Sequence, residues 1–174
     1  YMFSGKVDNV TSGINKDPNV MNAKYDDMIR KMGDSIRQYV NAASIVSSHV
    51  AKKEASLLSV RAEIKKIEGL RAGAINIATK VAEELKAKGI DPNTNIEYTQ
   101  HRSAYNDFSS TLLEKKKIEQ ELVDAIAAGN ETNKNNLATL KTLQRDFDKL
   151  KSEKGEMVSR MISAAEERSM NEMI

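Results

Sequence analysis

Residues 25–50 read YDDMIRKMGDSIRQYVNAASIVSSHV, and within them Tyr25, Ile29, Met32, Ile36, Val40, Ala43, Val46 and Val50 follow one another at steps of three and four. That spacing lines side chains up along one side of an α-helix, in a stripe narrower than the face a globular core needs. The register resumes at Leu57, Val60, Ile64 and Ile67 and continues through Ala74, Ala78, Val81 and Leu85, with charge on the stripe only near Lys53 and at Arg71. No proline interrupts it, so nothing removes a backbone donor or crowds the preceding turn. The pattern predicts one outgoing helix over 18–88, roughly 100 Å long at 1.5 Å per residue. A stripe this narrow cannot bury itself and requires a partner helix.

The partner is expected from the second half of the chain. Lys86 and Lys88, then Gly89, then Ile90-Asp91-Pro92-Asn93 are the signals of a helix end and a breaker run, which makes 89–95 a hairpin tip. A return helix is expected over 96–165, with Thr94 and Glu97 at capping-box spacing. Tyr98, Tyr105, Phe108, Leu112, Ile118, Leu122 and Ile126 carry its stripe, and Lys115 and Glu119 occupy positions where an apolar residue is expected. The stretch 127–136, AAGNETNKNN, breaks the apolar pattern before Leu137, Leu140, Leu143, Phe147, Leu150, Met157, Met161 and Ala164 restore it. Residues 166–174 read as the start of a further helix or the end of the return one. Arms of similar length are what an antiparallel hairpin requires. The fold expected is therefore all-α: a long antiparallel helical hairpin packed as a coiled coil, preceded by a short amphipathic helix. Its packing is assigned to Ile29, Ile36, Val50, Leu57, Ile64, Leu112, Leu122, Leu140, Phe147 and Leu150.

Ahead of the hairpin, Phe3, Val7, Val10 and Ile14 are spaced four, three and four apart, with Lys6, Asp8, Asn9 and other polar residues between them. This predicts an amphipathic helix over 2–16, of low net hydrophobicity and able to lie in a membrane interface. Met2, Phe3, Val7, Val10 and Ile14 are the expected apolar contacts, and Lys6 the expected contact to anionic lipid. Gly5 and Gly13 lower its helix propensity by about 1 kcal/mol each, and a terminal segment packed on the hairpin is the plainer alternative. Asp17 and Pro18 restart the chain as an N-cap and a first helical residue. Tyr1 precedes Met2, which is the expected start of the native chain.

Composition narrows the function class. Only 5% of the residues are aromatic while 30% are charged, and there are two prolines and no tryptophan, a profile of extended helical structure rather than of a compact enzyme core. The 27 basic and 25 acidic residues are interspersed for a net charge of +2, which provides no electrostatic footprint for nucleic acid. With no cysteine, thiolate metal sites and disulfides are excluded. No apolar run approaches the roughly 20 residues that cross a bilayer, and no signal-peptide core is present. His49 and His101 lack neighbouring ligands at metal-site spacing and are expected at the surface. No serine sits in a nucleophile elbow, and Lys115-Lys116-Lys117, flanked by Glu114, Glu119 and Glu121, reads as a solvated face. No catalytic residue, metal or cofactor is expected. Met21, Met28, Met32, Met157 and Met161 gather toward the open end of the hairpin, as core filling or as an adaptable contact surface.

The Asp17-Pro18 dipeptide, the run MIRKMGDSIRQ over Met28 to Gln38, and the segment VNAASIVSSHVAKKEASL over Val40 to Leu57 together resemble the phage shock protein A and vesicle-inducing protein in plastids family. That family is the bacterial branch of the ESCRT-III superfamily. The likeness covers about Met2 to Leu58 in sequence and the remainder in architecture. It implies a non-enzymatic protein on the cytoplasmic side of the cell membrane. Such a protein binds anionic membrane through its N-terminal helix and polymerises with copies of itself into rods, rings or coats, with a regulatory protein partner as a further expectation. The alternative class is a coiled-coil interaction module, such as a secretion translocator segment, a chaperone or a phage structural spacer, indifferent to lipid.

Overall fold

The computed structural model describes residues 17–173. The amphipathic stretch expected over 2–16 lies outside them, as does Ile174. The described residues form an all-α helical hairpin of two long helices, α1 over Pro18–Ala87 and α2 over Ile96–Glu172, with a 3-10 turn at Pro92–Thr94 between them and no strand among the described residues.

The helix ends follow from local chemistry. Asp17 caps α1: its carboxylate accepts from the Asn19 amide at 2.9 Å and its carbonyl from the Met21 amide at 3.1 Å, while Pro18 fills a position whose N–H has no helical partner. At the other end Gly89 adopts φ 71°. The Gly89 amide donates to the Lys86 carbonyl at 3.0 Å and the Ile90 amide to the Leu85 carbonyl at 2.9 Å, the paired bonds of a Schellman motif. The cap of α2 is Asn95 rather than the Thr94 of the expected capping box. Thr94 is consumed by the 3-10 turn, its hydroxyl donating to the Asp91 carbonyl at 2.7 Å. Asn95 is left extended with its side chain accepting from the Tyr98 amide at 3.0 Å.

Packing groups the residues into two units, one made of the residues up to Ile45 with Thr132–Ile174, the other of Val46–Glu131. In the first unit, Met21, Tyr25, Met32 and Leu150 form the buried core, flanked by Met28, Ile29, Ile36, Phe147, Met157 and Met161. Its helices run antiparallel: Asp26 pairs with Lys154, Gly33 lies beside Phe147, and the Asn133 side-chain amide donates to the Ala43 carbonyl at 3.1 Å. In the second unit, Ile64, Ala74, Ala78 and Leu112 are buried. Antiparallel pairing there is marked by Arg61 Nε to Glu119 at 3.1 Å, Lys115 Nζ to Glu63 at 2.7 Å and Lys116 Nζ to Glu68 at 3.7 Å. The Arg71 guanidinium lies 6.0 Å from the Tyr105 ring centroid.

Three features differ from the sequence expectation. The return helix runs past residue 165, so that of the two readings of 166–174 the one that ends the return helix holds for 166–172; nothing in Glu166-Glu167-Arg168 breaks a helix. The stretch 127–136 is helical throughout, with Gly129, Asn133 and Asn136 at the inward positions as half-buried residues. On α2 every alternate step of three and four from Tyr98 to Met161 lands on a buried or half-buried residue. Residues counted on the stripe but off the inward line of their helix are exposed instead: Ile118 by 40%, Leu137 by 62%, and Val40 of α1 by 50%; Ala164, one step past Met161 on that line, is exposed as well.

Candidate interaction surface

The two sets of site residues named from the sequence have separate locations. Met2, Phe3, Lys6, Val7, Val10 and Ile14 lie outside the described residues. The packing set lies on the facing sides of α1 and α2: Ile64, Leu112 and Leu150 are buried, and Ile29, Ile36, Val50, Leu57, Leu122, Leu140 and Phe147 are half-buried. Half-burial is what a pair of helices provides, since each seam side chain meets one partner helix and keeps one flank in water.

The first unit is more thoroughly packed where α1 begins. Tyr25 is completely buried, and its hydroxyl has no hydrogen-bond partner among the described residues. Burial pushes the Tyr25 phenol above its ordinary range, and the Glu153 carboxylate adds to the shift by repelling a phenolate. On the outer side of α1, Val20, Ala23, Lys24, Asp27, Met28 and Lys31 line a shallow, largely apolar groove of about 670 Å³. Asp27 on its rim accepts from Lys31 and Arg30, which hold its carboxyl below the usual carboxylate range. The Lys151 ammonium lies 4.2 Å from the Phe147 ring centroid, an exposed cation–π contact of about 0.5–1 kcal/mol.

In the second unit Gly129 permits a close helix approach. A Cβ there would stand 2.5 Å from Val50 Cγ2, so no larger residue fits without displacement. Lys115 and Glu119, which displace apolar residues from the stripe, are the cross-helix partners of Glu63 and Arg61. The Lys115-Lys116 pair thus serves the hairpin's own pairing, and Lys117 alone of the three is left without a cross-helix ion pair among the described residues. Sequence reasoning missed these partners, although counting the heptad strictly from Leu112 puts Lys115, Glu119, Gly129, Asn133 and Asn136 on one line. His49 is exposed, whereas His101 is half-buried at an inward position instead of at the surface.

Among the described residues no group of three or more His, Cys, Asp or Glu side chains could hold a metal ion, and no helix is long and apolar enough to cross a membrane. No family model matches the chain, and neither a curated protein nor a solved structure matches it.

Proposed function

We propose that this chain is a membrane-associated scaffold that assembles from many copies of itself, in the manner of the phage shock protein A family. The observation that carries the reading is the junction at Asp17 and Pro18. There α1 begins with its own cap, and the amphipathic sequence 2–16 immediately precedes it in the chain. In this reading Met2, Phe3, Val7, Val10 and Ile14 bury apolar surface among lipid headgroups while Lys6 meets anionic lipid. Each unit of the hairpin pairs its helices along the seam, and the exposed outer faces remain for neighbouring copies. One such short segment binds marginally; a polymer presenting many of them binds by avidity. The chain then works without catalysis or cofactor, on the inner face of the cell membrane, and a curved assembly imposes its curvature on the lipid.

The test is co-sedimentation of the full chain with anionic phospholipid vesicles, together with negative-stain electron microscopy. Wild-type protein is expected to bind and to coat or deform the vesicles. The double variant Phe3→Asp, Val7→Asp is expected to stay in the supernatant with its helicity unchanged. Retained binding by that variant would remove residues 2–16 from the mechanism.

A further inference from the structure

The outer faces of the second unit carry opposite charge. With each heptad lettered so that the inward seam is a and d, positions b and c flank the line that points directly away from the partner helix. On α1 these positions are Ala51-Lys52, Leu58-Ser59, Lys65-Lys66, Ala72-Gly73, Thr79-Lys80 and Lys86-Ala87. All are exposed and hold five lysines and no acid; on the outward line between them Glu83 is the one charge, so the strip stays net basic. On α2 the same positions from Thr99 to Ala128 are also all exposed. They hold Asp107, Glu114 and Glu121 and no cation, and the outward line between them adds Asp124 and Lys117, so the strip stays net acidic. The cross-helix ion pairs of this unit use Arg61, Glu63, Glu68, Lys115, Lys116 and Glu119, so neither strip is spent on the hairpin's own pairing. Each strip also carries one strongly exposed leucine, Leu58 at 71% on α1 and Leu113 at 75% on α2.

We propose that the lysine strip of α1 docks on the acidic strip of α2 of a second copy of this chain. The proposal rests on the scaffold reading only in that copies associate. The order of residues favours a second copy over any other acidic surface. Ascending α1, Lys52, Leu58 and Lys65-Lys66 follow one another at about two-turn intervals; descending α2, Glu121, Leu113 and Asp107 do the same. Set antiparallel, cation meets anion at both ends and leucine meets leucine in the middle. The Glu63–Lys115 and Glu68–Lys116 pairs put Leu113 level with α1 residues about nine positions tipward of Leu58, so the docked neighbour is displaced along the helix by about 13 Å. Because the two strips face away from each other across the hairpin, the contact is heterologous, and each copy added offers a fresh strip for the next. Long-range attraction between the strips sets register and encounter, while the leucine pair supplies a dehydrated centre.

Charge reversal with mixing tests the proposal. The variant Lys65→Glu, Lys66→Glu and the variant Asp107→Lys, Glu114→Lys each set like charges face to face where residues 65–66 of one copy meet residue 107 of the next. Each alone is expected to need at least about tenfold more protein than wild type before it self-associates in lipid-free sedimentation velocity at low salt. An equimolar mixture is expected to recover the wild-type threshold, because each variant complements the other on both strips. Raising the salt should weaken wild type and mixture together. Unchanged association of either variant would overturn the proposal, as would a mixture that fails to recover, or wild type that stays monomeric throughout. Loss of vesicle binding by Lys65→Glu, Lys66→Glu with normal association in solution would assign the strip to anionic lipid and also overturn it. The variant Phe3→Asp, Val7→Asp should associate normally without lipid, which separates failure of this contact from failure of the membrane reading.

Discussion

Replacing Gly129 by alanine pits two effects of known size against each other. Glycine inside a helix costs about 1 kcal/mol relative to alanine, so an unobstructed Gly→Ala change stabilises by about that amount. Gly69 and Gly73 of α1 are unobstructed, with nothing within 4 Å of an added Cβ. At Gly129 the same methyl would lie 2.5 Å from Val50 Cγ2 and 3.8 Å from Val46 Cγ1. Val50 is β-branched, and its rotamer in a helix is nearly fixed, so relief has to come from the backbones moving apart. Overpacking of that kind costs about 1–3 kcal/mol. The expected net effect of Gly129→Ala is therefore between neutral and about 2 kcal/mol destabilising, whereas Gly69→Ala and Gly73→Ala each stabilise by about 1 kcal/mol. Thermal unfolding followed by far-UV circular dichroism resolves the difference, since about 1 kcal/mol moves the midpoint of a chain this size by about 2–4 °C. Adding Val50→Ala should turn Gly129→Ala from harmful to helpful, an interaction of opposite sign to the single-site costs. A Gly129→Ala midpoint that rises as far as that of Gly69→Ala would refute the close approach on which the argument depends.

Tyr25→Phe removes a buried hydroxyl that has no partner among the described residues and is expected to raise stability by about 1 kcal/mol, read as a higher urea midpoint; a fall would mean that the hydroxyl is satisfied. The same residue predicts an alkaline limb. Its phenol titrates above 10.0 in the folded chain, so the folded state holds the proton longer than the unfolded one. Its contribution to stability is complete below pH 10.0 and is lost as pH rises through the higher folded value, and Tyr25→Phe should remove that part of the loss. Leu150→Ala empties a site only 1% exposed in the core of the first unit and should cost about 2–5 kcal/mol. Leu137→Ala, at a position 62% exposed, should stay within about 0.5 kcal/mol of wild type. Equal costs at the two positions would contradict the observed seam.

The parts of the fold legible in the sequence are those decided within a turn or two of chain. Asp17 followed by Pro18 and Gly89 followed by a proline-containing run mark their ends because capping needs only backbone groups nearby. The amphipathic spacing of Phe3, Val7, Val10 and Ile14 is equally local, and it remains the basis of the candidate membrane contact, since those residues lie outside the described structure. The capping-box spacing points to Thr94 as the cap of α2. The choice fell to Asn95 because the 3-10 turn had already engaged Thr94 with Asp91.

Determined by the sequence alone were the all-α class, the two long arms and the place where the chain reverses, because heptad spacing, uninterrupted helix formers and a tip of glycine and proline each act through neighbouring residues. Only the tertiary structure decided which residues at apolar spacing turn inward. Val40 and Leu137 match the spacing almost as well as their neighbours, yet both are exposed, because the facing helix accepts side chains only along the line where the backbones meet. It also decided that Gly129, Asn133 and Asn136 belong to the seam. Their lack of apolar surface reads as a break in one helix, whereas across two helices a missing side chain permits approach and an amide can reach the Ala43 carbonyl. A seam position is defined by its partner, and the partner is distant in sequence.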